Sequence, residues 1–126
     1  MSKILIVDDE PDILKILEKE LSAEGYDVLK AATGLQSIDL AKQDTPDLIL
    51  MDMILPDMGG AEAIKAMKNY PELKNVPVLF ITAMVKLEEE TDDPLKINID
   101  NSWYDTIAKP FDREELLKKI KETLTA

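Results

Sequence analysis

The chain has 126 residues, 45% of them hydrophobic, which is enough for one domain with a real core. Fifteen Lys and Arg against 26 Asp and Glu give a net charge of -11, which argues against a basic face for nucleic acid or an anionic membrane. Neither Cys nor His occurs, which excludes disulfides, thiol and imidazole chemistry and His- or Cys-ligated metals, and suits a reducing compartment.

Ile4-Leu5-Ile6-Val7 is a continuous, β-branched apolar run, the mark of a strand buried on both faces. Pro11 is pre-set for the first turn of a helix whose Ile13, Leu14, Leu17 and Leu21 share one face, with Gly25 as terminator. Residues 26–31 read as a second strand, towards an edge because Asp27 and Lys30 interrupt it. Thr33 can cap a helix running to about Lys42, with Leu35, Ile38 and Leu40 or Ala41 facing inward. Residues 48–51 form a third buried strand, and Pro56, Asp57 and the Gly59-Gly60 pair make 53–60 a loop.

Residues 61–69 are helical, 78–81 a fourth strand, and Thr106-Ile107-Ala108 the core of a fifth. Asp112 and Glu115, in capping-box spacing, open a last helix that runs to Leu124. The stretch 85–103 should carry the fourth crossover helix, yet Leu95, Ile97 and Ile99 alternate with period two. A short helix from Pro94 capped by Asp93 and a partly irregular segment both stay open there. The alternation of strands and helices predicts an α/β fold: a doubly wound, five-stranded parallel sheet covered by helices on both sides.

Ligands of open α/β sheets bind beyond the carboxyl ends of the strands, so the residues just after each apolar run matter most. Asp8 and Asp9 follow the first strand, Asp52 the third, Thr82 the fourth and Lys109 the fifth. Alone, each has a plainer reading as a turn residue, a cap or a surface lysine. Together they place three carboxylates, a hydroxyl and an ammonium on one rim. Carboxylates crowded in a partly desolvated cleft repel one another. A hard cation relieves this, and few ligands in an open site suit Mg²⁺. Lys109 neutralises more of the charge. Asp52, in the middle of the rim, is then the natural nucleophile towards an activated phosphorus, with Thr82 donating to the transferred group.

The strings ILIVDDEPDI, PDLILMDMILPDMGG, VLFITA and IAKPF resemble the receiver domain of two-component response regulators, with its CheY-like, flavodoxin-like three-layer fold. The resemblance covers essentially the whole chain. It implies strand order 2-1-3-4-5 and a single receiver domain over residues 1–126, with no output domain in this chain. It implies transfer from a phosphohistidine, on a sensor histidine kinase or a histidine phosphotransfer protein, to Asp52. Such a signalling module catalyses its own phosphorylation and dephosphorylation and acts on a downstream protein. By the same match Asp9 and Asp52 ligate Mg²⁺ directly, Asp8 acts through water, and the Ile54 carbonyl is a further ligand. Thr82 and Lys109 match the family's switch hydroxyl and phosphate-contacting lysine, and Lys109-Pro110 a peptide bond that is commonly cis. The expected setting is the cytoplasm, with no membrane attachment and no direct nucleic-acid contact.

Two departures stand out. Thr106 occupies the position usually held by Tyr or Phe, while Trp103 and Tyr104 are out of register, which puts the usual coupling to Thr82 in question. The interval from Thr82 to Lys109 exceeds the family norm by a few residues and lacks the usual glycine. Both fall on the surface that receivers commonly present to partners, which points to an unusual partner or a homodimer. Ile54 and Met84 are apolar where polar groups orient an attacking water, so autodephosphorylation should be slow. A Mg²⁺ phosphatase with an Asp nucleophile wants a second acid where Ile54 stands. A flavin module wants phosphate donors where Asp8, Asp9 and Glu10 stand. The remaining alternative, kept open by Thr106, is a degenerate receiver serving as a phosphorylation-independent docking module.

Overall fold

The computed structural model describes residues 2–82, 96–99, 102–109 and 111–125. Its strands are β1 (Lys3–Val7), β2 (Asp27–Ala31), β3 (Leu48–Asp52), β4 (Val78–Thr82), β5 (Lys96–Ile99) and β6 (Ser102–Ala108). The helices are α1 (Pro11–Ala23), α2 (Gly34–Gln43), α3 (Gly60–Met67) and α4 (Arg113–Thr125), with a 3-10 turn at Pro71–Leu73. One sheet holds all six strands in the order β2-β1-β3-β4-β6-β5.

The continuous apolar strands feed two cores. Ile4, Ile6, Leu48, Leu50, Leu79, Ile81 and Ile107 meet Leu17 and Leu21 of α1 and Leu116 and Ile120 of α4. Their alternate neighbours Leu5, Val7, Ile49, Met51 and Phe80 meet Ala41 of α2 and Ala63, Ile64 and Met67 of α3. Period-two side-chain alternation therefore sends every second residue of β1 and β3 into a different layer, which is why these strands carry no polar face. Pro11 occupies the first turn of α1 as expected. Gly25 ends that helix with a φ of 92°, a backbone setting that residues with a Cβ rarely adopt. The Thr33 hydroxyl accepts from the Gln36 amide at 3.1 Å and caps α2.

The five-stranded, all-parallel expectation is corrected on the far side of β4. The period-two alternation there belongs to a sixth strand: β5 runs antiparallel to β6, pairing Ile97 with Tyr104 and Ile99 with Ser102. That pairing also starts β6 at Ser102, well before the Thr106–Ala108 core read from sequence. Residues 96–99 thus form a strand in a stretch whose sequence left a short helix and an irregular segment both open, because alternate side chains suit a pleated surface: Ile99 packs on the α2–α3 core. Residues 85–95, with Pro94, lie outside the described residues. Leu35 is a second correction. It is 61% exposed because the buried stripe of α2 runs through Gly34, Ser37 and Ala41 instead.

Candidate functional site

Parallel pairing brings the carboxyl ends of four strands to one edge of the sheet. Val7 lies opposite Met51, Asp52 opposite Ile81 and Thr82 opposite Ala108, so Asp8, Asp52, Thr82 and Lys109 end up side by side. Asp8 continues the β1 ladder, its amide donating to the Ala31 carbonyl at 3.1 Å. It is fully buried, and its Oδ1 accepts from the Glu10 amide at 2.9 Å, turning the chain into α1. Asp52 is buried and Asp9 exposed. One carboxylate oxygen from each of Asp8, Asp9 and Asp52 falls within 4.8 Å of the others.

Lys109 reaches into this acidic group from the end of β6. Its Nζ donates to Asp8 Oδ2 at 2.7 Å, and to Asp52 Oδ2 and Glu10 Oε1 at 3.3 Å each. Glu10 is a site residue that strand-end reasoning missed; its only sequence signal is a third acid following Asp8-Asp9. Burial is the largest influence on the Lys109 ammonium and lowers its pKa. The bond to Asp8, with the charges of Asp52 and Asp8, outweighs burial and raises it overall. The Asp52 carboxyl is pushed up, first by burial and then by the Asp8 charge, against the pull of the Ile54 amide and Lys109. One lysine does not offset the carboxylates gathered around it.

The loop after β3 frames Asp52. The Met53 amide donates to the Ile81 carbonyl at 3.1 Å and the Gly60 amide to the Met53 carbonyl at 2.8 Å. Ile54 bridges Gly59 across the loop, and its amide reaches Asp52 Oδ1 at 3.3 Å. Gly60 starts α3 directly against the β3 backbone, where a Cβ would collide with the Asp52 carbonyl. Leu55 anchors the loop in the core, while the Ile54 side chain is 59% exposed beside the site.

Thr82 ends β4 at the expected place; its hydroxyl, Met84 and Pro110 lie outside what the structure describes. Thr106 is buried. The aromatic residue on its face of β6 is Tyr104, packed edge-on to Phe80 with ring centroids 5.6 Å apart. Trp103 points to the other face and is 66% exposed.

Residues 4–121 match the response regulator receiver domain family. The chain is 38% identical to the sporulation initiation phosphotransferase F of Bacillus subtilis over 122 residues, covering 97% of this chain and 93% of that protein. It is 33% identical over 124 residues to the DNA-binding dual master transcriptional regulator RpaA of Synechocystis, covering 98% of this chain but 49% of that protein. The chain therefore spans about half the length of that regulator. Among solved structures, the receiver domain of sensor histidine kinase PA1611 from Pseudomonas aeruginosa superposes with a TM-score of 0.84. That match is at 30% identity and covers 99% of this chain and 98% of the other, whose active-site cleft coordinates a magnesium ion. Among the described residues no helix is long and apolar enough to cross a membrane.

Proposed function

The chain belongs to the response regulator receiver family of two-component signalling, and on that footing we propose that it accepts a phosphoryl group on Asp52 from a partner's phosphohistidine. The observation that carries this is the meeting of Asp8, Asp9 and Asp52 with Lys109 at one sheet edge. An Asp52 carboxylate oxygen attacks phosphorus as the phosphorus–nitrogen bond of the donor breaks, and the electron pair leaves on the imidazole nitrogen. Lys109, already held over Asp52, receives the developing negative charge on the phosphoryl oxygens. The Thr82 hydroxyl donates to the same group. The donor is a sensor histidine kinase or a histidine phosphotransfer protein, and the readout a downstream protein, in the cytoplasm.

Mg²⁺ fits the donor set, since three carboxylates supply hard oxygen ligands on an open rim. Asp9 and Asp52 would hold the ion directly, Asp8 through water, with the Ile54 carbonyl as a further ligand. When bound, it neutralises the carboxylates and orients phosphoryl oxygens. The unit acts as a single receiver domain with intrinsic phosphorylation and dephosphorylation chemistry. A docking module independent of phosphorylation is not favoured, because the acidic group and its lysine are assembled.

The test is intact-mass analysis after incubation with Mg²⁺ and acetyl phosphate, beside Asp52→Asn. One added phosphoryl group that requires Mg²⁺ and is lost in the variant is expected. An unmodified wild-type chain, or equal modification of Asp52→Asn, would overturn the assignment.

A further inference from the structure

The loop that carries Ile54 is tied to α2, which among the described residues gives the site no side chain. Asp57, at the tip of that loop, accepts the Gly34 amide on Oδ1 at 2.8 Å and the Leu35 amide on Oδ2 at 2.9 Å. These are the first two free N–H groups of α2, and the helix's own Thr33 satisfies the third. The two bonds hold the Asp57 carboxyl below its ordinary range. Met58 closes the same junction, because a Cβ on Gly34 would collide with its side chain. Across the base of the loop, the Ile54–Gly59 bridge carries the constraint to the amide that touches Asp52.

We propose that Asp57 is a positioning residue: by clamping the loop tip to the N-terminus of α2 it holds the Ile54 backbone in place beside Asp52. This deepens the phosphoacceptor reading and rests on it only for its metal consequence. At the tip itself Pro56 and Asp57 are exposed, while Leu55 is sunk in the core and Met58 packs against it, so the two Asp57 bonds are what tie the exposed part of the loop to α2. The clamp also makes α2 and the phosphoacceptor loop move as one piece. A displacement at Ile54 is therefore transmitted to α2 through two hydrogen bonds.

Amide hydrogen exchange on the full chain without metal, compared across wild type, Asp57→Asn and Thr33→Ala, tests this. Asp57→Asn should speed exchange at Ile54 and Gly60 by about fivefold, the scale expected for loss of a charge-assisted bond at an exposed site. Thr33→Ala weakens the same helix end without touching the loop, so it should speed Gln36 and leave Ile54 at the wild-type rate. Unchanged Ile54 exchange in Asp57→Asn, or equal acceleration by Thr33→Ala, would overturn the clamp. A Mg²⁺ titration then separates the two readings. Wild type that binds while Asp57→Asn binds about threefold more weakly supports both. Wild type that binds no Mg²⁺ defeats the proposed function, and the exchange comparison still decides the clamp.

Discussion

The ammonium of Lys109 bonds the fully buried carboxylate of Asp8 at 2.7 Å, joining the end of β6 to the end of β1 across 101 positions of sequence. Removing that partner leaves the buried Asp8 carboxylate facing Asp52, with the Glu10 amide still bonded to its other oxygen. Lys109→Met should therefore destabilise the fold by about 3 kcal/mol, the usual result of stranding a buried charge. Asp8→Asn in the same chain should recover much of the loss, because the two sites are coupled. Urea melts of the four-member cycle measure this, and additive single effects would refute it.

Asp52 bears on stability in the opposite sense. Its folded-state pKa lies above the ordinary 3.8, so between 3.8 and the folded value the native state holds more protons than the unfolded one. Stability falls as pH rises through that window and then levels. Asp52→Asn escapes this, and near neutral pH it should be more stable than wild type by about 1 kcal/mol, as is common when a functional site is neutralised. The advantage should vanish in acid. Thermal melts across pH that show a constant offset would rule the explanation out.

Metal should act on the same strain. Mg²⁺ at about one hundred times its dissociation constant should stabilise the chain by about 2.7 kcal/mol, and chelation should reverse the gain. Asp9→Asn, at the exposed carboxylate of the group, should abolish most of it while leaving the metal-free melt nearly unchanged. Differential scanning calorimetry with and without chelator checks both parts.

Ile54 is exposed beside the acidic group with no polar atom on its side chain to hold a water. Ile54→Asn should speed loss of the phosphoryl group about tenfold by orienting the attacking water. Phospho-protein followed by intact mass gives the two half-lives. A wild-type half-life of seconds, or no acceleration in the variant, contradicts the reading.

Two adjacent aromatics should behave differently. Tyr104, half-buried and edge-on to Phe80, should lose about 2 kcal/mol on change to Ala. Trp103, 66% exposed on the opposite face, should lose no more than about 0.5 kcal/mol. Equal losses in denaturant melts would mean the two faces of β6 are wrongly assigned.

Much of this was legible in the sequence, for definite reasons. Strands buried on both faces write continuous runs such as Ile4–Val7 and Leu48–Met51, and the residue after each run marks the rim. Asp8, Asp9, Asp52 and Lys109 needed no more than that. The β5–β6 pairing was not legible, because alternating Leu95, Ile97 and Ile99 contradict a helix without naming the strand they would pair with. Leu35 misled because an apolar residue at a helix start fits two stripes equally well. The contacts of Glu10 and Asp57 were hidden for another reason: their partners lie far along the chain, at Lys109 and at the start of α2. Hydrogen bonds between distant segments leave no local pattern.

The antiparallel pairing of β5 with β6 also bears on the order in which the sheet is assembled. Every parallel pair among the described strands joins segments with a long stretch of chain between them, whereas β5 and β6 are separated only by residues 100 and 101. Closing so short a loop takes microseconds, on the scale of about 1–10 μs for hairpins, while the parallel pairs wait on distant encounters. Where that hairpin closes first, β6 meets β4 with one edge already occupied and a single free edge to offer. Pulse-labelled exchange should find the amides bonded between β5 and β6 protected before those of β1 and β3.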